Sequence, residues 1–202
     1  MELLIIRHGQ SEADLLGVHE GRADFPLTTL GEEQARKMAK YVAANFAPDI
    51  IVASPLKRAS KTAQFLQEAV GCNLQYFDEL MELNNGILAG MDRNEAAIKY
   101  PLPEGGRPIH IPIEGGESEL QLRQRAEYML YKIQHDFKEH KRIAIVSHGG
   151  FISNFLKVLL KQHSDSLIVA TGDTGIHRLE IKGDTRIIHF INKQDHLVTS
   201  NT

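Results

Sequence analysis

Leu3-Leu4-Ile5-Ile6-Arg7-His8-Gly9-Gln10-Ser11-Glu12 is the stretch on which the reading of this chain turns. Four consecutive branched apolar residues are the pattern of a strand covered on both faces, as in a parallel sheet. The strand runs into Arg-His-Gly, so a permanent cation, an imidazole and a residue free to adopt positive φ arrive together at its carboxyl end. Open α/β sheets hold their ligands at that edge. Arg7 presents a planar fork of donors suited to a phosphate or a carboxylate. An Arg-His-Gly triplet recurs by chance, so its meaning depends on what else reaches the same edge.

A second apolar run ends the same way. Arg142-Ile143-Ala144-Ile145-Val146-Ser147 leads into His148-Gly149-Gly150. In a parallel sheet the two histidines emerge side by side and can share one pocket. Between them, the strand-like run 49–53 is followed by Ser54-Pro55-Leu56-Lys57-Arg58-Ala59-Ser60-Lys61-Thr62-Ala63. That spacing puts Arg58 in the first turn of a helix after a strand, where helix N-termini favour anions.

Around these runs the chain alternates strands and helices. Thr29 with Glu32 fits a capping box, with Thr28 as the alternative cap, and Ala35, Met38, Ala39, Val42 and Phe46 then share one helical face. A helix is expected over about 56–70, stopped at Gly71, and a third strand over 74–77. Ser118 with Gln121 opens a long amphipathic helix carrying Leu122, Ala126, Met129, Leu130, Ile133 and Phe137. Another helix follows His148, with Ile152, Phe155, Leu156, Leu159 and Leu160. The segments 167–170, 175–181 and 185–192 read as edge strands, with Lys182-Gly183-Asp184 as a turn. This alternation gives an α/β fold, a three-layer α/β/α sandwich with a mostly parallel central sheet. From 78 to 116 the periodicity weakens while Gly and Pro accumulate. The expectation is a single domain over 1–202, with 84–117 as a lid or specificity insertion. A short helix near 93–99 falls within it, and Ile109, Ile111 and Ile113 alternate like an extended segment at the mouth of a pocket.

Composition narrows the functional classes. The 202 residues are 42% hydrophobic and 24% charged, with a formal net charge of -3. No basic excess points to nucleic acid or an anionic membrane. The single Cys72 excludes an internal disulfide framework and any multi-cysteine metal site. The apolar run before Arg7 is too short for a signal segment, and no run approaches the length of a membrane span. A cytoplasmic enzyme is therefore expected, with oligomeric state left open.

Taken together, the motifs resemble those of the histidine phosphatase superfamily, the phosphoglycerate mutase-like proteins. They are Arg7-His8-Gly9, Gly21-Arg22-Ala23-Asp24-Phe25-Pro26-Leu27-Thr28, the Ser54 to Ala63 stretch, Leu80-Met81-Glu82, Gly116-Glu117-Ser118 and Ser147-His148-Gly149-Gly150. They appear in family order and span nearly the whole chain. The resemblance implies a metal-independent phosphomonoesterase with no cofactor, acting on a phosphorylated small molecule. His8 would be the nucleophile and form a phosphohistidine. Arg7, Arg58 and His148 would neutralise the phosphoryl oxygens. Ser11, Gly21 and Gly149 would add contacts to them. Glu82 would serve as general acid and then base. Among the other histidines, His19, His110, His135, His140, His163, His177, His189 and His196 lack ligand-like clustering and read as surface or packing residues, with His19 as a candidate for the pocket rim.

The chain departs from the family pattern at several points. Asp14 stands where members usually carry Asn, and Glu20 takes a place often held by a neutral polar residue. Either these acids face solvent, which is the favoured reading, or the pocket takes a substrate with a cationic portion. Leu88-Ala89-Gly90 replaces an aromatic-acidic-glycine triplet. The insertion is shorter than in the mutase branch, which favours a phosphatase. The alternatives are mutase-type phosphoryl transfer and a non-catalytic phosphate-binding protein. A metallohydrolase would need clustered ligands such as His-x-x-x-His, and a dinucleotide-binding protein would need Gly-x-Gly-x-x-Gly where Gly9 stands alone.

Overall fold

The first strand, β1 (Glu2–Arg7), has four consecutive residues at 0% exposure, Leu3 to Ile6. The computed structural model describes residues 1–162 and 167–198. Along the chain, β1 is followed by α1 (Glu12–Leu16), α2 (Thr29–Phe46), β2 (Ile50–Ala53), α3 (Lys57–Val70) and β3 (Asn73–Tyr76). Then come α4 (Arg93–Lys99), α5 (Glu119–Asp136), β4 (Arg142–Ser147), α6 (Gly149–Leu159), β5 (Ile176–Lys182) and β6 (Thr185–Lys193). The six strands form one sheet in the order β3-β2-β4-β1-β5-β6. The pairs β3–β2, β2–β4 and β4–β1 are parallel, and β5 runs against both β1 and β6.

The period-2 alternation of a strand divides the core between two faces. Leu3, Ile5, Val52, Ile143 and Ile145 pack with α5 and α6 through residues such as Met129, Ile133, Phe151 and Phe155. Leu4, Ile6, Ile51, Ala144 and Val146 pack with α2 and α3 through Met38, Val42, Ala63 and Leu66. The sheet thus lies between two helical layers, as the sequence pattern implied. Its register sets the site. Arg7 pairs with Ser147, and Ala53 with Val146. The next residues, His8, His148 and Ser54, therefore leave three neighbouring strands at one edge.

Of the two candidate caps of α2, Thr28 is the one used: its hydroxyl accepts from Gly31 N at 2.9 Å. Loss of such a cap costs about 1 kcal/mol. The 167–170 segment is irregular rather than a strand, because Val169 N donates to the Ser153 hydroxyl at 3.1 Å instead of to a neighbouring chain. Ile109 and Ile111 sit in a turn closed by Ile111 N on Pro108 O, not in an extended run. Residues 12–16 form α1, an element the sequence pattern did not signal. The 84–117 segment contains α4, and its two ends are stitched together by Ile87 N on Glu114 O and Glu117 N on Asn84 O. Gly86 permits that seam: it has φ +49°, and a Cβ there would lie 2.0 Å from Glu114 O. His163 lies outside the described residues.

Candidate active site

His8 sits just beyond β1 and is 1% exposed. Its Nδ1 is 2.7 Å from Gly9 O, and Arg58 Nε lies 3.3 Å from its Nε2. A carbonyl can only accept, so Nδ1 carries the hydrogen, and Nε2 holds the lone pair that accepts from Arg58. Burial, and then the positive charges of Arg58 and Arg7, push the imidazole well below its ordinary value, against the smaller opposing effect of the Gly9 bond. His8 is neutral near pH 7, with Nε2 available. The His148 ring lies 5.0 Å away between centroids and is likewise buried and pushed down, first by burial and then by Arg58. Its Nε2 is 2.8 Å from the Ser54 hydroxyl, while its Nδ1 is buried without a partner.

Arg58 comes from the first turn of α3 and is 0% exposed. It is held rigidly: Nη1 donates to Ala23 O at 3.1 Å and Nη2 to Gly21 O at 2.8 Å. Thr62, one turn on, bonds Arg58 O and also receives Gly9 N. Gly21 therefore supports the site through its carbonyl, at φ +50°. Arg7 donates from Nη1 to Thr171 O at 2.8 Å and lies 3.3 Å from Asp173, leaving its buried Nε without a partner. Thr171 is itself fixed by His177, whose Nε2 is 2.9 Å from the threonine hydroxyl and whose Nδ1 accepts from Asn192 N.

Glu82 lies beyond the 3₁₀ turn at Asp78–Leu80, and its carboxylate caps α6. It accepts from Gly150 N at 2.8 Å, Phe151 N at 2.9 Å and its own neighbour Leu83 N at 2.9 Å. This approach requires a glycine, since a Cβ on Gly150 would lie 2.6 Å from Glu82 Oε1. Arg125 clamps the turn from beneath, donating to the carbonyls of Glu79, Met81 and Glu82 and pairing with Glu117 at 2.6 Å. Gly149, the first residue of α6, lies between His148 and this cap.

The two unusual acids behave differently from each other. Asp14 turns toward the chain, its Oδ2 accepting from Ser11 N at 2.9 Å and from the Ser11 hydroxyl at 3.2 Å. Glu20 does not face solvent, contrary to the expectation. Its Oε1 is 3.0 Å from Arg58 Nε, and its Oε2 is 3.9 Å from His8 Nε2. The buried cation supplies the attraction that draws it in. Burial nevertheless pushes its carboxyl above the ordinary range, and Oε1 makes no hydrogen bond.

The sequence reading missed Thr171, Asp173, His177, Ser54, Thr62 and Arg125. His177, expected as a surface or packing residue, is fully buried, and burial lowers it to about 4. An unfolded histidine titrates near 6.5, so between pH 6.5 and 4 the unfolded chain binds a proton that the folded chain refuses. The associated stability is complete above pH 6.5 and is lost as pH falls toward 4. Denaturant titrations at pH 7 and 4.5 should show His177→Gln losing about 2 kcal/mol less than the parent protein over that interval. Equal losses in the two proteins would contradict this assignment.

Among the described residues, no group of three or more His, Cys, Asp or Glu is arranged to hold a metal ion, and no helix is long and apolar enough to cross a membrane. The family model of the histidine phosphatase superfamily (branch 1) matches residues 3–194. An uncharacterised phosphatase, PhoE, of Bacillus subtilis is 34% identical over 75% of this chain and 74% of its own length. A 2,3-bisphosphoglycerate-dependent phosphoglycerate mutase of Cytophaga hutchinsonii is 30% identical over 94% of this chain and 92% of its own. In structure, the alpha-ribazole phosphatase of Shigella flexneri superposes with a TM-score of 0.87 at 23% identity, covering 96% of this chain and 97% of that one, which is a likeness of fold. With the model spanning both histidine-bearing strand ends and nearly all that lies between, the chain belongs to the histidine phosphatase superfamily, branch 1.

Proposed function

We propose that the protein is a phosphomonoesterase working through a covalent phosphohistidine on His8. The observation that carries the reading is the fixed tautomer of His8: Nδ1–H on Gly9 O, with the Nε2 lone pair facing the Arg58 guanidinium. Nε2 attacks phosphorus, the P–O bond to the alcohol breaks, and the leaving oxygen takes the proton that Glu82 carries in its carboxylic acid form, leaving the carboxylate. Water then attacks, Glu82 takes the water's proton, the P–N bond breaks and the lone pair returns to Nε2. Arg58, Arg7 and His148 Nδ1 face the charge that spreads over the phosphoryl oxygens. Buried polar atoms without partners, here Arg7 Nε and His148 Nδ1, are what an anion-binding site presents before its ligand arrives. No step passes through a metal, so turnover of p-nitrophenyl phosphate should persist in EDTA. Absence of turnover at every pH from mildly acidic to neutral would remove the hydrolytic reading.

The similarity to a phosphoglycerate mutase makes transfer to a second alcohol the alternative fate of the phosphohistidine. Inorganic phosphate as the dominant product separates hydrolysis from it.

Glu20 occupies space beside Arg58 and Nε2 that a phosphoryl oxygen would need. When it ionises it repels a phosphate dianion, so binding weakens as pH rises through its elevated titration range. Glu20→Gln should tighten inhibition by inorganic phosphate at pH 7 about tenfold and flatten that pH dependence. Unchanged inhibition across pH would place Glu20 outside the phosphate seat.

A further inference from the structure

A cleft of about 550 Å³ opens directly beside the phosphoryl site. Gly149 and Gly150 close one end, and Thr171, whose carbonyl holds Arg7, forms part of its wall. From there α6 contributes Ser153, Asn154 and Lys157, which share one helical face with the two glycines at spacings of three and four. The rim carries three exposed apolar side chains, Ile109 (38% exposed), Leu120 (37%) and Ile168 (77%).

Lys157 is the anomaly in this lining. The residue is only 5% exposed, and its ammonium has neither a hydrogen bond nor an ion pair among the described residues; Nζ is not one of the fully buried polar atoms, so it opens into the cleft. The other charged residues of the cleft are occupied. Glu119 accepts from Asn154 Nδ2 at 2.8 Å, and Arg123 donates to Gln162 O at 2.8 Å. An ammonium group that meets water only through a partly enclosed cleft is less screened than one on an open surface. A ligand bringing an anion into the cleft would pair with it.

We infer that the cleft is a specificity subsite for a phosphomonoester whose apolar body ends in a carboxylate, with Lys157 receiving the carboxylate. The inference rests on the phosphatase reading of the neighbouring site. The apolar rim takes the body, and Lys157, the charged lining residue whose ammonium has no partner among the described residues, favours an anionic end over a cationic one. Eight residues separate Gly149 from Lys157, about 12 Å along the helix axis. Helical side chains lean toward the N-terminus, which shortens that gap to a spacer of several carbons. A compact phosphorylated acid falls short of it.

The test is titration calorimetry with two non-hydrolysable series of increasing chain length, ω-phosphonocarboxylates and the methyl-ended alkylphosphonates. Both are run on the full chain and on Lys157→Met. At one chain length the parent protein should bind the carboxylate-ended probe at least about tenfold more tightly than its methyl-ended partner. Lys157→Met should bind the two alike, with a thermal midpoint no lower than the parent's, because methionine keeps the buried stem and the ammonium makes no bond to the described residues. A preference absent at every length, a preference surviving in Lys157→Met, or a lowered thermal midpoint in that variant would each overturn the subsite. Turnover of p-nitrophenyl phosphate by the same preparation reports separately on the phosphatase reading. Turnover without the carboxylate preference overturns the subsite alone; the preference without turnover overturns hydrolysis and upholds the subsite.

Discussion

His8→Ala is expected to lower kcat by at least about 10⁴-fold while leaving the fold intact. Nucleophile deletions in other covalent enzymes fall in or above that range, because the remaining groups can still bind but cannot form the intermediate. The fold should survive because His8 lies beyond the last paired residue of β1, Arg7. Removing it deletes an imidazole that burial and two arginines already hold in its uncharged form. Steady-state turnover of p-nitrophenyl phosphate, with circular dichroism and a thermal melt on the same sample, checks both statements. Residual activity within an order of magnitude of the parent would point to a different nucleophile.

Arg58→Ala should be the second large effect, and it should strike stability as well as rate. Arg58 ties Gly21 O and Ala23 O to α3 and faces both His8 and Glu20. Removing one donor aimed at transition-state charge costs about 10²- to 10³-fold in kcat. Leaving Glu20 buried without its cation adds destabilisation on the order of 3–5 kcal/mol. Arg58→Lys is the informative companion. A lysine restores the charge but cannot hold two carbonyls while facing Nε2, so stability should recover more than rate. Kinetics and denaturant unfolding on the two variants separate these effects. A lysine variant with parental kcat would mean that charge alone, not the fork, is used.

The parts of this molecule that could be read directly were those governed by repetition. Runs such as Leu3 to Ile6 and Ile143 to Val146 fix strands buried on two faces, and the alternation with helical stretches fixes the layers. Register then brings His8 and His148 together, as two matching strand ends implied. What could not be read depends on side chains meeting across long sequence distances. Nothing local to 167–175 signals that Thr171 O anchors Arg7, 164 residues away. His177 carries no motif, yet it orients that threonine. Val169 uses its N–H on Ser153, so an apolar run that resembles a strand remains irregular. Glu20 reads as a solvent-facing acid because its partner, Arg58, enters from another element. Arg125 reads as the polar face of an amphipathic helix, and only the return of the 79–82 turn across α5 gives it carbonyls to hold.

The central claim is the covalent phosphoryl group on His8, and the most direct measurement is to trap it. The protein would be mixed with p-nitrophenyl phosphate, quenched on the time scale of one turnover in alkaline denaturant, digested and analysed by mass spectrometry. The account predicts one added phosphoryl group on the peptide containing His8, stable to base, labile to acid and absent when His8 is alanine. Rapid turnover with no phosphoryl group on that peptide at any quench time, or with the group on another residue, would contradict it.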